Sequence, residues 1–206
     1  MNAAADDWAQ FCQDLCRQMQ IPVEIIHVDA SPVRGESPEA TARELRYQAM
    51  SEIIKEGDAL LTAHHQDDQA ETLLLQLMRG SGVPGLAAMP SQVSFSKGIL
   101  LRPLLEFGRQ DLREYALQQQ LDWVEDSSNE DIRFDRNFMR HEILPELLGR
   151  WPGLVPKLCR TSMHMSEAMS LLDERAAEDL QRVVSTERSI INIDALGALS
   201  KARQHN

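Results

Sequence analysis

Residues 59–79 constrain the fold more than any other part of this chain. They open on Ala59, Leu60, Leu61, Thr62 and Ala63, a run short enough for a buried strand, and pass directly into residues whose apolar members recur at helical spacing. A strand feeding a helix through a short polar turn is the repeating unit of a parallel α/β sheet. Such sheets gather ligands at the carboxyl ends of their strands, and this turn carries His64, His65, Asp67 and Asp68. Titratable side chains crowded there make a candidate site. The alternative is structural, because Asp67 and Asp68 are also ordinary residues for capping a helix.

Composition narrows the class. The 206 residues, 43% of them hydrophobic, can bury a sizeable core and leave room for a smaller second domain. Lys plus Arg number 21 against 32 Asp plus Glu, and the resulting charge of −11 argues against indiscriminate binding to nucleic acid while permitting a local basic patch. Cys12, Cys16 and Cys159 are too few, and odd in number, for a disulfide framework, which indicates a reduced, intracellular chain. No apolar run approaches a membrane span, and the acidic amino terminus lacks a basic region followed by an apolar one. A soluble, cytoplasmic protein without a membrane partner is expected.

Ahead of the organising stretch, residues 3–20 place Trp8, Phe11, Cys12, Leu15, Cys16 and Met19 on one face and predict an amphipathic helix. Cys12 and Cys16 then serve packing rather than metal or redox chemistry. Past Pro22, the residues Val23, Ile25, Ile26 and Val28 predict a β-branched strand. Residues 30–37 read as a loop, and Ser37 as N-cap with Pro38 behind it starts a helix running to about residue 56. Its Glu39 and Arg43, four apart, form either a surface ion pair or part of a ligand site.

Beyond residue 79 comes a glycine-rich loop, Gly80-Ser81-Gly82-Val83-Pro84-Gly85, which lacks the Gly-Lys-Ser/Thr of a phosphate loop. Residues 99–105, with Arg102 and Pro103, predict a short strand entering a loop, and residues 109–119 a helix. Residues 122–129 read as an extended piece ending in a polar turn. Arg133, Arg136, Arg140 and His141 then fall within nine residues, either a solvated helix start or a site for phosphate or nucleic acid. Composition shifts at Trp151-Pro152-Gly153, after which residues 154–184 predict one long helix and residues 189–193 a strand. No internal repeat is visible.

Five blocks, in order, carry a resemblance. They are Glu39-Ala40-Thr41-Ala42-Arg43 with Arg46-Tyr47; Thr62-Ala63-His64-His65-Gln66-Asp67-Asp68-Gln69 with Glu71-Thr72; Arg79-Gly80-Ser81-Gly82; Leu101-Arg102-Pro103-Leu104-Leu105; and Glu125-Asp126-Ser127-Ser128-Asn129 with Arg136-Asn137 and Arg140. Over nearly the whole chain they resemble the bacterial tRNA(Ile)-lysidine synthases, ATPases of the PP-loop class. The resemblance implies an α/β fold: an incomplete PP-loop (HUP-type) doubly wound parallel sheet at residues 1–150, then the start of a helical domain at residues 151–206. It implies a ligase that uses ATP and Mg2+ to adenylate the wobble cytidine of tRNA(Ile) with a CAU anticodon, joins free L-lysine to it, and releases AMP and pyrophosphate.

Site roles follow from the same resemblance. Asp68, Glu71, His64 and His65 are implied to be catalytic, with Asp68 also a magnesium contact. Asp68 and Glu71 lie one turn apart on a single helix face, so either carboxylate suits the lysine ammonium or the proton of its attacking amine. Arg43 and Arg46 are expected at the nucleotide, and Arg79, Arg102, Arg133, Arg136 and Arg140 at the tRNA. The oligomeric state stays open, a homodimer included.

One departure stands out. The family wraps the ATP phosphates in a Ser-Gly-Gly-x-Asp-Ser loop, whereas no Ser-Gly-Gly occurs here and no glycine precedes Gly35. The chain is therefore expected to be an internal piece or truncated product, inactive alone. A tRNA cytidine thiolase of the same superfamily is a second reading, but it calls for Cys-x-x-Cys, and Cys12 and Cys16 are spaced differently. A catalytically silent tRNA-binding module, keeping Arg133, Arg136 and Arg140, is a third.

Overall fold

The computed structural model describes residues 3–29, 38–185 and 190–206. The chain forms two compact units that interleave in sequence. Met1–Thr62, Gln92–Leu101 and Gln119–Asp126 make the first; Ala63–Ser91, Arg102–Gln118 and Ser127–Asn206 make the second.

In the first unit, helices α1 (Ala3–Gln18) and α2 (Pro38–Ile53) accompany a sheet of β1 (Ala59–Leu61), β2 (Gln92–Phe95) and β3 (Gly98–Leu101). The order is β1-β3-β2, with β3 parallel to β1 and antiparallel to β2. Leu100, on the central strand, is 1% exposed and anchors this unit's core. The α/β architecture agrees with expectation, but the sheet is mixed rather than wholly parallel. Strand β2 is short, and its turn sets Ser96 at φ 52°, a conformation usually left to Gly or Asn. Ser96 Oγ donates to the Ser51 carbonyl at 2.9 Å and ties the turn to α2. Gly98 admits no side chain, because a Cβ there would stand 2.3 Å from the Asp58 carbonyl oxygen.

Residues 23–28, expected as a strand, join no ladder among the described residues, and Val23, Ile26 and Val28 are exposed. β-branched residues supply propensity, but a strand exists only where a neighbour takes up its N–H and C=O groups. Cys12 is exposed rather than packed. The loop at 30–37, its Ser37 cap and the Glu39 side chain lie outside the described residues.

The second unit holds α3 (Gln66–Met78), α4 (Val83–Leu86), α5 (Arg109–Gln118) and a 3₁₀ turn at Ser127–Glu130. A continuous helical segment over residues 135–150 follows, made of α6 (Asp135–Phe138), a π-helical turn (Met139–Ile143) and α7 (Leu144–Arg150). Helix α8 (Leu154–Val183) packs along α3 and α4, so the long helix expected after Gly153 belongs to this unit. Leu74, Met139 and Leu144 form the core, with Leu75, Ile143, Leu147 and Leu158 against them. An antiparallel pair, β4 (Val184–Ser185) and β5 (Ile190–Ile191), precedes short helices α9 (Ile193–Gly197) and α10 (Lys201–Gln204).

Candidate functional site

The site begins with the stripe Asp68, Glu71 and Leu74, which recurs every three residues on α3. Leu74 sinks into the core, and the same face carries the two acids inward, leaving Asp68 8% and Glu71 1% exposed. A carboxylate taken that far from water needs ionic and hydrogen-bonding partners. Two arginines of the 135–150 segment provide them. Arg140 donates from Nε to Glu71 Oε1 at 2.7 Å and from its terminal nitrogen to Glu71 Oε2 at 3.0 Å and Asp68 Oδ1 at 3.1 Å. Arg136 donates from Nε to Glu71 Oε2 at 2.9 Å and lies 3.4 Å from Asp68 Oδ1.

Arg136 and Arg140 are four residues apart across the start of the π turn, and both reach the acid pair. Met139, between them, is a core residue and fixes the backbone from which Arg140 projects. Asn137 is buried on the other side and donates to the carbonyls of Ser128 at 2.8 Å and Asp131 at 3.0 Å. Burial works against the charge on Arg140, but Glu71 and Asp68 outweigh it and hold the guanidinium above its ordinary pKa.

His65 closes the amino-terminal end. It is the N-cap of α3: its Nδ1 accepts from the Asp68 N–H at 3.4 Å, and Asp68 Oδ2 accepts from the His65 N–H at 3.0 Å. This reciprocal capping box orients Asp68. Asp67 turns away and accepts from the Arg109 N–H at 2.8 Å, tying α3 to α5. Gln69 exchanges two hydrogen bonds with the Met89 backbone, at 2.9 and 3.0 Å. Cys159 on α8 covers the first turn, its Sγ donating to the Gln66 carbonyl at 3.3 Å. Burial, with Asp67 adding, pushes that thiol up to about 11.

The remaining expected residues are dispersed. His64 is half-buried beside the cap. Arg79 is the exposed C-cap of α3. Arg102 is buried, 8% exposed, and donates to the Pro90 carbonyl at 2.6 Å, an interior place rather than a surface offered to a polynucleotide. Arg133 is exposed and pairs with Asp131 at 2.6 Å. Arg43 and Arg46 belong to the first unit, where Arg43 sits over the Tyr47 ring at 4.9 Å and Arg46 donates to the Ala42 carbonyl at 3.3 Å.

The donor set does not fit a magnesium ion on Asp68. Its Oδ1 is taken by both arginines and its Oδ2 by the His65 amide, and no group of His, Cys, Asp or Glu among the described residues is arranged to hold a metal. A hard divalent cation needs several free oxygens, and here the charge is already matched by guanidinium groups. What the arrangement offers is two inward-facing carboxylates held in fixed orientation, chemistry suited to an organic cation.

A family model described as a PP-loop domain matches residues 1–147. The chain belongs to the PP-loop family. It is similar to the tRNA(Ile)-lysidine synthase of Pseudomonas putida, 45% identical with 100% of this chain and 49% of the relative covered. With the tRNA(Ile)-lysidine synthase of Methylococcus capsulatus it is 50% identical over 84% of this chain and 39% of the relative. With that of Coxiella burnetii it is 45% identical, covering 100% of this chain and 45% of the relative. The chain thus spans about half the length of the curated relatives it matches.

Proposed function

We propose that this chain carries the lysine-receiving part of a tRNA(Ile)-lysidine synthase, a cytoplasmic ligase that attaches L-lysine to the wobble cytidine of tRNA(Ile) with a CAU anticodon. ATP activates the cytidine, AMP and pyrophosphate leave, and the tRNA changes from reading the methionine codon to reading AUA. The observation that carries this reading is the buried cluster of Asp68, Glu71, Arg136 and Arg140, which unites two of the resembling blocks around paired acids. The acids hold an ammonium group of lysine, and either accepts the proton its attacking amine must lose. Arg43 and Arg46 face the nucleotide, and exposed Arg79 and Arg133 meet tRNA phosphates. Magnesium accompanies ATP as its counter-ion and draws no ligand from the Asp68 cluster. Residues 1–150 serve the nucleotide-binding domain, and residues 151–206, which begin a helical one, pack through α8 on its second unit.

The test is a chimera in which these residues replace the matching span of the Pseudomonas putida relative, assayed for radiolabelled lysine on tRNA(Ile). Incorporation dependent on ATP is expected. The 206 residues alone, which contain no Ser-Gly-Gly run to cradle pyrophosphate, are expected to give none. A folded but inactive chimera refutes the reading.

A further inference from the structure

The two arginines that neutralise the acid pair are not held alike. Arg140 makes bonds of 2.7, 3.0 and 3.1 Å, two of them a bidentate grip on Glu71, and its side chain is 19% exposed. Arg136 makes one bond of that quality, 2.9 Å to Glu71; its contacts to Asp68 are 3.4 and 3.5 Å, and its side chain is 26% exposed. Arg140 also projects from the π turn beside the core residue Met139, whereas Arg136 lies in α6, ahead of that core.

Charge sets the second constraint. The groups in direct contact, two carboxylates and two guanidinium groups, sum to zero, and Asp67 acts on Arg140 only at longer range and from a side chain 31% exposed. Such a cluster accepts a third cation only at the cost of an unpaired charge. A primary ammonium group therefore enters by exchange, and the guanidinium that yields is the one with fewer and longer bonds. We propose that Arg136 is the exchangeable counter-ion of this site and Arg140 its positioning residue. An ammonium group of lysine takes the place of Arg136 on Asp68 and Glu71, Arg136 swings toward solvent, and Arg140 keeps Glu71 aimed. Only ion pairs and hydrogen bonds change hands. The inference rests on the reading that this cluster receives lysine, and it adds a rule of selection: a ligand without a positive charge has nothing to exchange.

The unmodified protein, labelled with heavy nitrogen in arginine and assigned through backbone connectivities, allows the Nε–H resonances of Arg136 and Arg140 to be followed during titration. The probes are L-lysine, n-butylammonium and butanol. Both ammonium compounds are expected to speed solvent exchange of the Arg136 Nε–H by about tenfold or more and leave Arg140 protected, while butanol moves neither. By calorimetry, Arg136→Met is expected to bind lysine about tenfold more tightly, since no cation has to leave, and Arg140→Met about tenfold more weakly. Release of Arg140 first, release of both together, or no release by either ammonium compound overturns the proposal. Weaker lysine binding by Arg136→Met also overturns it. Release by n-butylammonium but not by lysine keeps the exchange and sinks the lysine reading instead. The titration of the unmodified protein decides the matter even where a variant fails to fold.

Discussion

Glu71 and Asp179 are both buried acids answered by arginines, but Glu71 draws its partners from 65 and 69 residues away, whereas Asp179 meets Arg175 and Arg182 on its own helix and Arg203 beyond it. Around Glu71 two acids meet two arginines; around Asp179 one buried acid and the exposed Glu178, 2.7 Å from Arg175, face three. Surplus cations near Asp179 are tolerable because Arg175 and Arg182 are 42% and 61% exposed and screened by water. The Asp179–Arg203 pair, beside an open cavity of about 290 Å³ lined by Ala176, Leu180, Val183 and Ile191, fastens α10 to α8. The two clusters differ in enclosure and in reach: that around Glu71 joins segments far apart in sequence, and that around Asp179 is half-wet and fastens neighbouring ones.

Glu71→Gln is the hardest blow to that distinction. It leaves two half-buried guanidinium groups with Asp68 as their one remaining carboxylate, and a loss of roughly 3 kcal/mol in urea unfolding is expected, together with abolished ligation in the chimera. Asp67→Asn, whose side chain accepts from the Arg109 amide and lies 3.8 Å from the His65 ring without joining the acid–arginine cluster, is expected to cost far less activity. Ligation that survives Glu71→Gln but fails in Asp67→Asn would reverse the facing assigned to α3.

Asp179→Asn comes next. Hydrogen exchange should show residues 190–206 loosened, with ligation by the chimera retained. Its hydrogen bond from Arg203 chiefly, aided by the charges of Arg203, Arg175 and Arg182 against the opposing effect of burial, holds the Asp179 carboxyl below its ordinary value. The folded pKa is the lower one, so the pair's stabilisation is complete above the ordinary aspartate range and disappears as pH falls through the depressed value. Acid titration should therefore loosen α10 in wild type and change it less in Asp179→Asn. Equal acid sensitivity would break the contrast.

Cys159 reports on the Glu71 region without altering it. With its thiol pushed up to about 11, it is expected to alkylate more slowly at neutral pH than the exposed Cys12. Glu71→Gln should accelerate Cys159 and leave Cys12 unchanged, read by mass spectrometry. The smallest effect belongs to Arg133→Gln. The solvent-exposed Arg133 adds nothing measurable to the melting temperature, but if it meets a phosphate the salt slope of tRNA binding by the chimera falls by about one.

Legibility in the sequence followed the range of the interaction. Helix α8 is readable almost to the residue because its apolar spacing persists through 30 positions. Strand β2 is not, since four residues joined by Ser96-Lys97 carry none of the usual hairpin chemistry. Residues 23–28 mislead for the opposite reason: their propensity is local, and pairing is not. At the site, the acids are visible as a same-face pair, and Arg136 and Arg140 as part of a basic cluster. That these arginines turn inward is invisible, because nothing local encodes a contact 65 residues away. The available signal was complementary spacing, three apart for the acids and four for the arginines, which lets two helical stretches match charge for charge.

The π turn at Met139–Ile143 gives this segment one residue to spare. Such a turn stores one residue more than an α-helical turn. Five residues in it sweep about the same angle as four in an α-helix, so removing one inside it lets the segment close into regular α-helix with its two sides still in phase. Arg136 then still reaches Glu71, and Met139 and Leu144 still share their core. Glu142 is exposed, and replacing it costs little. Losing its codon in frame would do far less harm than losing that of Glu71.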